Sequence, residues 1–518
     1  MAVTPAVLAV DVGSTTTKAA VVTTEGHILG LHRYRTPYRL SAPPAFEIEM
    51  NMLATRALFT MSRVLSTLRA QRSDIQIQAV AITALGDGVW LIGADGKAVE
   101  PALMWRDTRS INVLRQWRRE GRLRAVARYT GTKPTTAHQT TQLAWLAEAA
   151  PEKLKQAQHV CFAEDWIGYV LTGRVGICTT SFEHTYGHPH TVHFERQPAV
   201  GDDYWKVAET VLDILDLRTV RRLLPEPLSP LKPRGALKRS AAAQIGLPEG
   251  LPVFVGPFDA VAGMFGLGAA NLNQAASIIG TAAIHQYWTK DFDDDTLGYL
   301  VRHIQDENLF LRFVATSAGS INLEFWGKTL YSNFKDNAEF WASLEDQLNS
   351  ISLTSDNLIY LPYLTLSEER SEEKEWSLGG CFLGLDSRHT REHLMRAVYE
   401  GIAVQTARIY DFLLCRTHPQ QLKEIRIGGG GARSGLMADL IAQLTGMPVV
   451  YPCLDEVGLV GVAAVAWTAL HPNSLLNCWA QKLIKSVEAK RFIPTIENQE
   501  YYKNLKNVAN RIIDKLTR

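Results

Sequence analysis

The chain has 518 residues with 54 Lys and Arg against 53 Asp and Glu, a net charge of +1, so no global field draws it to nucleic acid or to an anionic membrane surface. At that length one ordinary domain is exceeded, and 46% hydrophobic with 21% charged residues is the composition of a folded chain rather than a disordered one. No apolar run approaches the roughly 20 residues needed to span a bilayer, and Met1-Ala2-Val3-Thr4-Pro5 carries no charged segment ahead of an apolar one; the expectation is a cytoplasmic protein, without a nucleic-acid or membrane partner, acting on a small molecule.

In chain order, residues 5–36 alternate Val, Ala and Thr and predict two or three strands, with turns at Gly13 to Thr17 and at Glu25-Gly26. Met52 to Arg69 has helical apolar spacing, and Ala79-Val80-Ala81-Ile82-Thr83-Ala84 reads as a buried strand. Gln142 to Glu148 and Glu164 to Leu171 are helical, and the Pro-rich Leu228 to Gly235 is a connection. A boundary near 255 divides the chain into 1–255 and 256–518. Beyond it, Gln274 to Tyr287 repeats the opening in outline, strand, Gly-Thr turn, strand. A strand at Leu311 to Ala315, a long helix from Arg391 to about Leu414, the four-glycine turn 428–431 and a helix from Leu436 to Leu444 follow, and Asn498 to Arg518 closes as an amphipathic helix. The six cysteines (Cys161, Cys178, Cys381, Cys415, Cys453, Cys478) form no Cys-x-x-Cys pair and read as small core residues.

Four stretches carry chemistry. In the first turn Asp11 is followed by Gly13, Ser14, Thr15, Thr16, Thr17 and Lys18. No Walker pattern is present and no helix follows the strand, but hairpin N–H groups and hydroxyls can cradle phosphate oxygens, and a carboxylate beside phosphate calls for a divalent cation. A plain surface hairpin would explain the same residues. Glycines at 428–431 let a flat ligand lie against the backbone, or simply join strand to helix. Asp259, in Gly256-Pro257-Phe258-Asp259, caps a helix or serves as a general base. Gly86-Asp87-Gly88-Val89-Trp90 and Trp105-Arg106-Asp107-Thr108-Arg109 mix carboxylates with indoles, as polyol sites do, although stacked core Trp beside solvated Asp would look the same. His184, His188, His190 and His193 lack metal-site spacing. His184, beside Glu183, is read as a substrate contact from a loop.

Taken together and in this order, these elements resemble the FGGY carbohydrate kinases of the actin, hexokinase and Hsp70 superfamily, from Val7 to about Ala469. Trp105-x-Asp107-x-Arg109, Glu164-Asp165-Trp166, Gly280-Thr281, Gly429 to Ser434 and Glu456-Val457-Gly458 carry the resemblance. It implies an α/β protein of two RNase H-like domains, each with a five-stranded mixed sheet, flanking a deep catalytic cleft. It implies ATP and Mg²⁺, with Asp11 and Asp259 near the metal, Asp259 as catalytic base, and Gly13, Ser14, Thr15, Thr16, Lys18, Gly280 and Thr281 at the phosphates. Gly430, Gly431 and Ala432 fall beside the adenosine, and Asp87, Gly88, Trp90, Trp105, Asp107, Phe258 and His184 at the acceptor. The implied reaction is phosphoryl transfer to a terminal hydroxyl of a four- or five-carbon polyol or ketose, erythritol-like or L-xylulose-like. Glycerol, D-xylulose or ribulose as acceptor, a non-catalytic sensor, and an ATP-driven chaperone or filament protein of the superfamily are the rivals, and dimers are common in the family. Departures from the family pattern are Leu85, Gly435 and Leu366-Ser367-Glu368-Glu369-Arg370.

Overall fold

The computed structural model describes residues 3–36, 44–72, 74–189, 203–292, 298–351, 354–364, 379–414 and 422–517. His190, His193, Cys415 and the 366–370 stretch lie outside them. Contacts divide the chain into two units: Met1–Ala270 with Thr289–Arg312 and Glu456–Ser486, and Asn271–Trp288 with Phe313–Asp455 and Val487–Arg518.

In the first unit β1 (Thr4–Val12), β2 (Thr16–Thr23) and β3 (Ile28–Arg35) form an antiparallel meander. Parallel to β1 on its other side runs β4 (Ile75–Ala84), and β6 (Pro252–Val255) is parallel to β4. A two-residue edge, β5 (Gly235–Ala236), makes the order β5-β6-β4-β1-β2-β3, one short strand more than the five expected. Val7 to Val10 are wholly buried, as a strand covered on both faces requires, which is why the run is apolar without alternation until Asp11.

Helix α1 (Met50–Gln71) sends Leu53, Ala57, Met61, Val64 and Leu68 into the same core at helical spacing. At α2 (Ala163–Thr172) the buried Asp165 receives the Arg234 guanidinium at 2.7 Å and the N–H groups of Phe162 and Cys178, so the Glu164-Asp165-Trp166 signature is scaffolding. Next comes α3 (Thr179–Tyr186), with Thr180 to Tyr186 all buried.

Two later helices matter most for the site. Both α4 (Asp259–Gly266) and α5 (Val457–Leu470) belong to the first unit by their contacts. Residues Val457 to Thr468 are buried all round, and α5 is correspondingly apolar on every face. The two helices cross with backbones touching: a Cβ on Gly266 would lie 1.8 Å from the Val457 carbonyl oxygen, and one on Gly461 1.7 Å from that of Ala262.

In the second unit β7 (Gln274–Ile279) and β8 (Ala283–Thr289) form a hairpin beside β9 (Phe310–Thr316). On the other side β10 (Glu424–Gly428) and β11 (Val449–Pro452) run parallel to β7, and β12 (Ala489–Phe492) closes the edge antiparallel. The sheet has seven strands, two more than the five expected, with Tyr299–Arg302 outside β9, and its portion β8-β7-β10-β11-β12 repeats the order β2-β1-β4-β6-β5 of the first unit: a hairpin, two parallel strands, one antiparallel edge. The helix Arg391–Leu414 fills this unit's core with Tyr399, Ile402, Ala403 and Tyr410. Of the cysteines, Cys161 and Cys178 are buried as expected, whereas Cys453 and Cys478 are exposed. Among the described residues no helix is long and apolar enough to cross a membrane.

The helix crossing predicts that Gly461→Ala loses about 1–3 kcal/mol or more in urea denaturation, because only backbone movement can relieve the overlap. Gly435→Ala is the control: no atom lies within 4 Å of the added carbon, and its stability should stay within about 0.5 kcal/mol of the parent.

Candidate functional site

Three parallel strands of the first unit end side by side. Asp11 is the penultimate residue of β1, opposite Thr83 of β4 and Lys18 of β2; Asp87 lies just past β4 and Asp259 just past β6. The strand ends are tied together by Leu85 N–H to the Val12 carbonyl (3.0 Å), Gly256 N–H to the Ile82 carbonyl (2.8 Å) and Thr83 Oγ1 to the Pro257 carbonyl (2.7 Å). Carboxyl ends of parallel strands are where open α/β sheets hold ligands, since the loops leaving them diverge. Positions 11 and 87 are thereby both brought within electrostatic range of Asp259.

Electrostatics single out two of these acids. Burial pushes the Asp11 carboxyl up to about 6, with Lys18 opposing and Glu456 adding to the rise. Asp259 is pushed up to about 7, by burial first and by the Asp11 charge second, while the Ala260 N–H and Lys18 pull the other way. Buried Asp11 Oδ1 has no hydrogen-bond partner, and Asp11 Oδ2 would lie 2.7 Å from a Cβ on Gly458, at the start of α5. Asp259 is the first residue of α4 rather than its cap, which is Phe258; Asp259 Oδ1 accepts from the Ala260 N–H at 2.8 Å. Glu456, just ahead of α5, receives Lys18 Nζ at 3.2 Å and Arg33 Nε at 2.6 Å, and Lys18 Nζ is also 4.0 Å from Asp11. In sequence, Glu456 stands only as the first residue of the Glu456-Val457-Gly458 motif, which gives no sign of this pairing.

The β1–β2 turn is tight: Gly13 N–H donates to the Thr16 carbonyl, which leaves only 3.0 Å for a Cβ on Gly13. Thr36 clamps it, donating Oγ1 to the Gly13 carbonyl (2.7 Å) and its N–H to the Thr15 carbonyl (2.9 Å). Thr17 faces Thr36 Oγ1 inside the protein, whereas Thr15 is exposed. Ser14 Oγ accepts from the Trp105 indole at 2.8 Å, which joins this turn to the second predicted group.

Within that second group the residues part company. Asp87 holds a left-handed backbone (φ 59°), uncommon for a residue with a side chain, between Gly86 and Gly88. Its Oδ2 accepts from the Tyr299 hydroxyl at 2.7 Å, and Oδ1 faces His184 Nε2 at 3.5 Å. Burial opposes ionisation of Asp87, yet His184, His138 and the Tyr299 hydroxyl outweigh it and hold the carboxyl well below its usual range. Gly88 fits because a Cβ would meet the Leu103 carbonyl at 2.4 Å. Phe258 packs against Gly86 and places its ring 5.4 Å from that of His184.

His184 belongs to α3, not to a loop, because residues 179–186 form one buried helical segment. Trp90 is a core residue of β-structure, fully buried. Asp107 does not join Asp87: both its oxygens are taken by the Arg109 guanidinium and by the N–H groups of Phe46 and Arg109. Glu183 is spent on the Arg302 guanidinium and the Tyr204 hydroxyl. His138 and Tyr299 escaped sequence reading, since one precedes a helix without a motif and the other returns from residues 289–312.

In the second unit Gly280 and Thr281 form the β7–β8 turn, with Gly280 N–H on the Ala282 carbonyl and Ser320 N–H on the Gly280 carbonyl. Gly430, Gly431 and Ala432 fall in a 3-10 turn after β10. Gly429 (φ 86°) and Gly431 sit against Ile279, where a Cβ would come within 2.7 and 2.6 Å, and Gly430 has open space. Ser434 caps the next helix by accepting from Met437 N–H.

Glu456 is the counter-charge for two cations beside Asp11, so Glu456→Gln should cost about 1–3 kcal/mol in chemical denaturation, with the loss shrinking when Lys18 is replaced by Met in the same chain.

Comparison with known proteins matches the chain in two consecutive blocks. The profile of the FGGY family of carbohydrate kinases, N-terminal domain, matches residues 6–266, and that of the C-terminal domain residues 275–470. A probable L-xylulose kinase of Pasteurella multocida is 23% identical, over 90% of this chain and 91% of that protein. An erythritol kinase of Brucella abortus is 26% identical over 79% and 78%. Among solved structures, Plasmodium falciparum glycerol kinase with ADP superposes with a TM-score of 0.80 at 17% identity, covering 99% of this chain and 98% of that one. The chain therefore belongs to the FGGY family of carbohydrate kinases, sugar phosphotransferases with a two-domain, actin- and hexokinase-like fold.

Proposed function

We propose that this kinase transfers the γ-phosphoryl group of MgATP to a terminal hydroxyl of a four- or five-carbon acyclic polyol or ketose. The observation that carries the reading is the convergence of Asp11, Asp259 and Asp87 at the ends of β1, β4 and β6, two of them with raised and one with lowered affinity for protons. Pairs of acids pushed apart in this way divide base work from binding work.

Asp259 is the base. A carboxyl poised near neutrality can take the proton of the acceptor hydroxyl as its oxygen attacks the γ-phosphorus, an assistance worth about 10²- to 10⁴-fold. Asp11 and Asp259 fit a divalent cation: an orphaned buried oxygen and two carboxyls that repel each other are relieved by one. Mg²⁺ bound there would neutralise phosphoryl oxygens. The Gly13 to Thr16 turn and Lys18 supply N–H, hydroxyl and ammonium groups to the phosphates, with Gly280 and Thr281, while Gly430, Gly431 and Ala432 take the adenosine. Asp87 is ionised, held from two sides by Tyr299 and His184, and so presents an acceptor oxygen to substrate hydroxyls next to Phe258 and Trp105. The relatives named for erythritol and L-xylulose support an acceptor that is short, acyclic and rich in hydroxyls.

Asp259→Asn should fold, retain ATP and lose about 10²-fold or more in kcat, and in the parent kcat/KM should rise with pH through about 7 as the free base ionises. A purified variant with near-normal turnover would remove Asp259 from the mechanism. Asp87→Ala should raise the acceptor KM far more than that of ATP, and equal changes would refute the pocket assignment. An ATP-consumption screen over tetritols, pentitols, pentuloses, glycerol and hexuloses tests the acceptor class; turnover confined to glycerol or hexuloses would contradict it.

A further inference from the structure

Two side chains from distant parts of the first unit hold Asp87, the Tyr299 hydroxyl on Oδ2 and His184 Nε2 facing Oδ1. Each of them has a charged neighbour in the chain. Glu183 directly precedes His184 in α3, and Arg302 ends the short strand Tyr299–Arg302 that Tyr299 opens. These two neighbours are themselves paired across 119 positions: Arg302 Nε lies 3.1 and 3.0 Å from the two Glu183 oxygens, and Nη2 also donates to Oε1. We propose, on the reading of Asp87 as the acceptor contact, that Glu183 and Arg302 are positioning residues for the kinase reaction: their ion pair ties α3 to the strand Tyr299–Arg302 and so fixes how His184 and Tyr299 hold the Asp87 carboxylate between them.

The surroundings suit a device for geometry rather than for stability. Glu183 is 1% exposed and the Arg302 side chain 14%. Removing both ions from water cancels most of what their attraction gains, so a buried pair adds little net stability; what a guanidinium fork on both carboxylate oxygens gives is a fixed orientation. Tyr204 closes the group into a triangle, donating its hydroxyl to Glu183 Oε1 at 2.6 Å and accepting from Arg302 Nη2 at 2.7 Å, and His188 Nδ1 stands 3.3 Å from Glu183 Oε2. The strand is tied at a second point, where Leu300 N–H donates to Thr132 Oγ1 at 3.0 Å, so its direction and the place of the Tyr299 ring are set together. Exposed Glu307 also reaches Arg302, at 3.4 Å from Nη1, but it makes no link to α3. Asp87 depends on such outside support because it stands between two glycines in a left-handed conformation, and its partners rather than its chain neighbours decide where its carboxylate lies. The other buried pair of this unit, Asp165 with Arg234, is adjacent in the chain to neither partner of Asp87.

The test is a double-mutant cycle read by steady-state kinetics on the full-length chain, with MgATP and whichever of erythritol, the pentitols and the pentuloses the parent turns over fastest. Arg302→Met should raise the acceptor KM about 10-fold or more while the ATP KM stays within about twofold. Arg302→Lys, which keeps the charge and loses the planar fork, should raise it by a smaller factor. In a Tyr299→Phe background, where no hydroxyl is left to position, the further effect of Arg302→Met on the acceptor KM should be at least about threefold smaller than in the parent. Equal effects in the two backgrounds, or equal changes in both Michaelis constants, overturn the positioning role, since a merely structural ion pair would lower stability without singling out one substrate or one hydroxyl. Asp87→Ala in the same series separates the two readings. If it raises the acceptor KM selectively and Arg302→Met does not, the pocket stands and the positioning pair falls; if Asp87→Ala shows no such selectivity, both fall. Should Arg302→Met fail to fold, Arg302→Lys carried through the same cycle decides.

Discussion

Two carboxyl groups held close together in a mostly apolar frame govern this structure. Asp11 is the next-to-last residue of a strand that is otherwise apolar from Pro5 to Val12, and Asp259 opens a helix whose backbone touches that of α5. Gly458, Gly461 and Gly266 are small because side chains there would strike Asp11, the Ala262 carbonyl and the Val457 carbonyl. The acids cannot drift apart without breaking that crossing. Since both carboxyls are raised above the ordinary value of 3.8, the folded chain holds their protons more tightly than the unfolded chain does. Their contribution therefore falls as pH rises from about 4 through about 6 to 7, and above that the repulsion is a standing cost.

Around the pair the first unit separates charges by role. Glu456 collects Lys18 and Arg33, so the ammonium group stays beside Asp11 without cancelling it. Asp87 is ionised by histidine and tyrosine partners, although it is buried. Asp107 and Asp165, equally buried, are each locked to an arginine and serve the scaffold. Burial alone does not mark a functional acid; what separates these groups is whether an arginine and backbone N–H groups have already taken both oxygens.

Much of this was legible in the sequence. Apolar runs marked β1 and β4, helical spacing marked α1, and the repeated strand-turn-strand outline anticipated two sheets of like order. Asp11 stood out because a carboxylate interrupts a buried strand, and Asp259 because it follows one. Chain order, however, says nothing of contacts, so it could not reveal that α4 and α5 cross in the first unit, or that Tyr299 returns to meet Asp87 across more than two hundred positions. The Trp and Asp mixture near 87–109 was overread: Trp90 is core and Asp107 is a partner of Arg109, because composition cannot tell a satisfied carboxylate from one that is available. His184 was found for its chemistry and misplaced in its element.

The most direct test of the central claim is a double-mutant cycle on thermal stability of the metal-free chain at pH 8, using Asp11→Asn, Asp259→Asn and the pair. If the two carboxylates repel one another, either single change relieves the same repulsion, and the double variant gains less than the sum of the singles by about 0.5–3 kcal/mol. Strict additivity would mean that the two acids do not share a field, and the account of the site would fail with it.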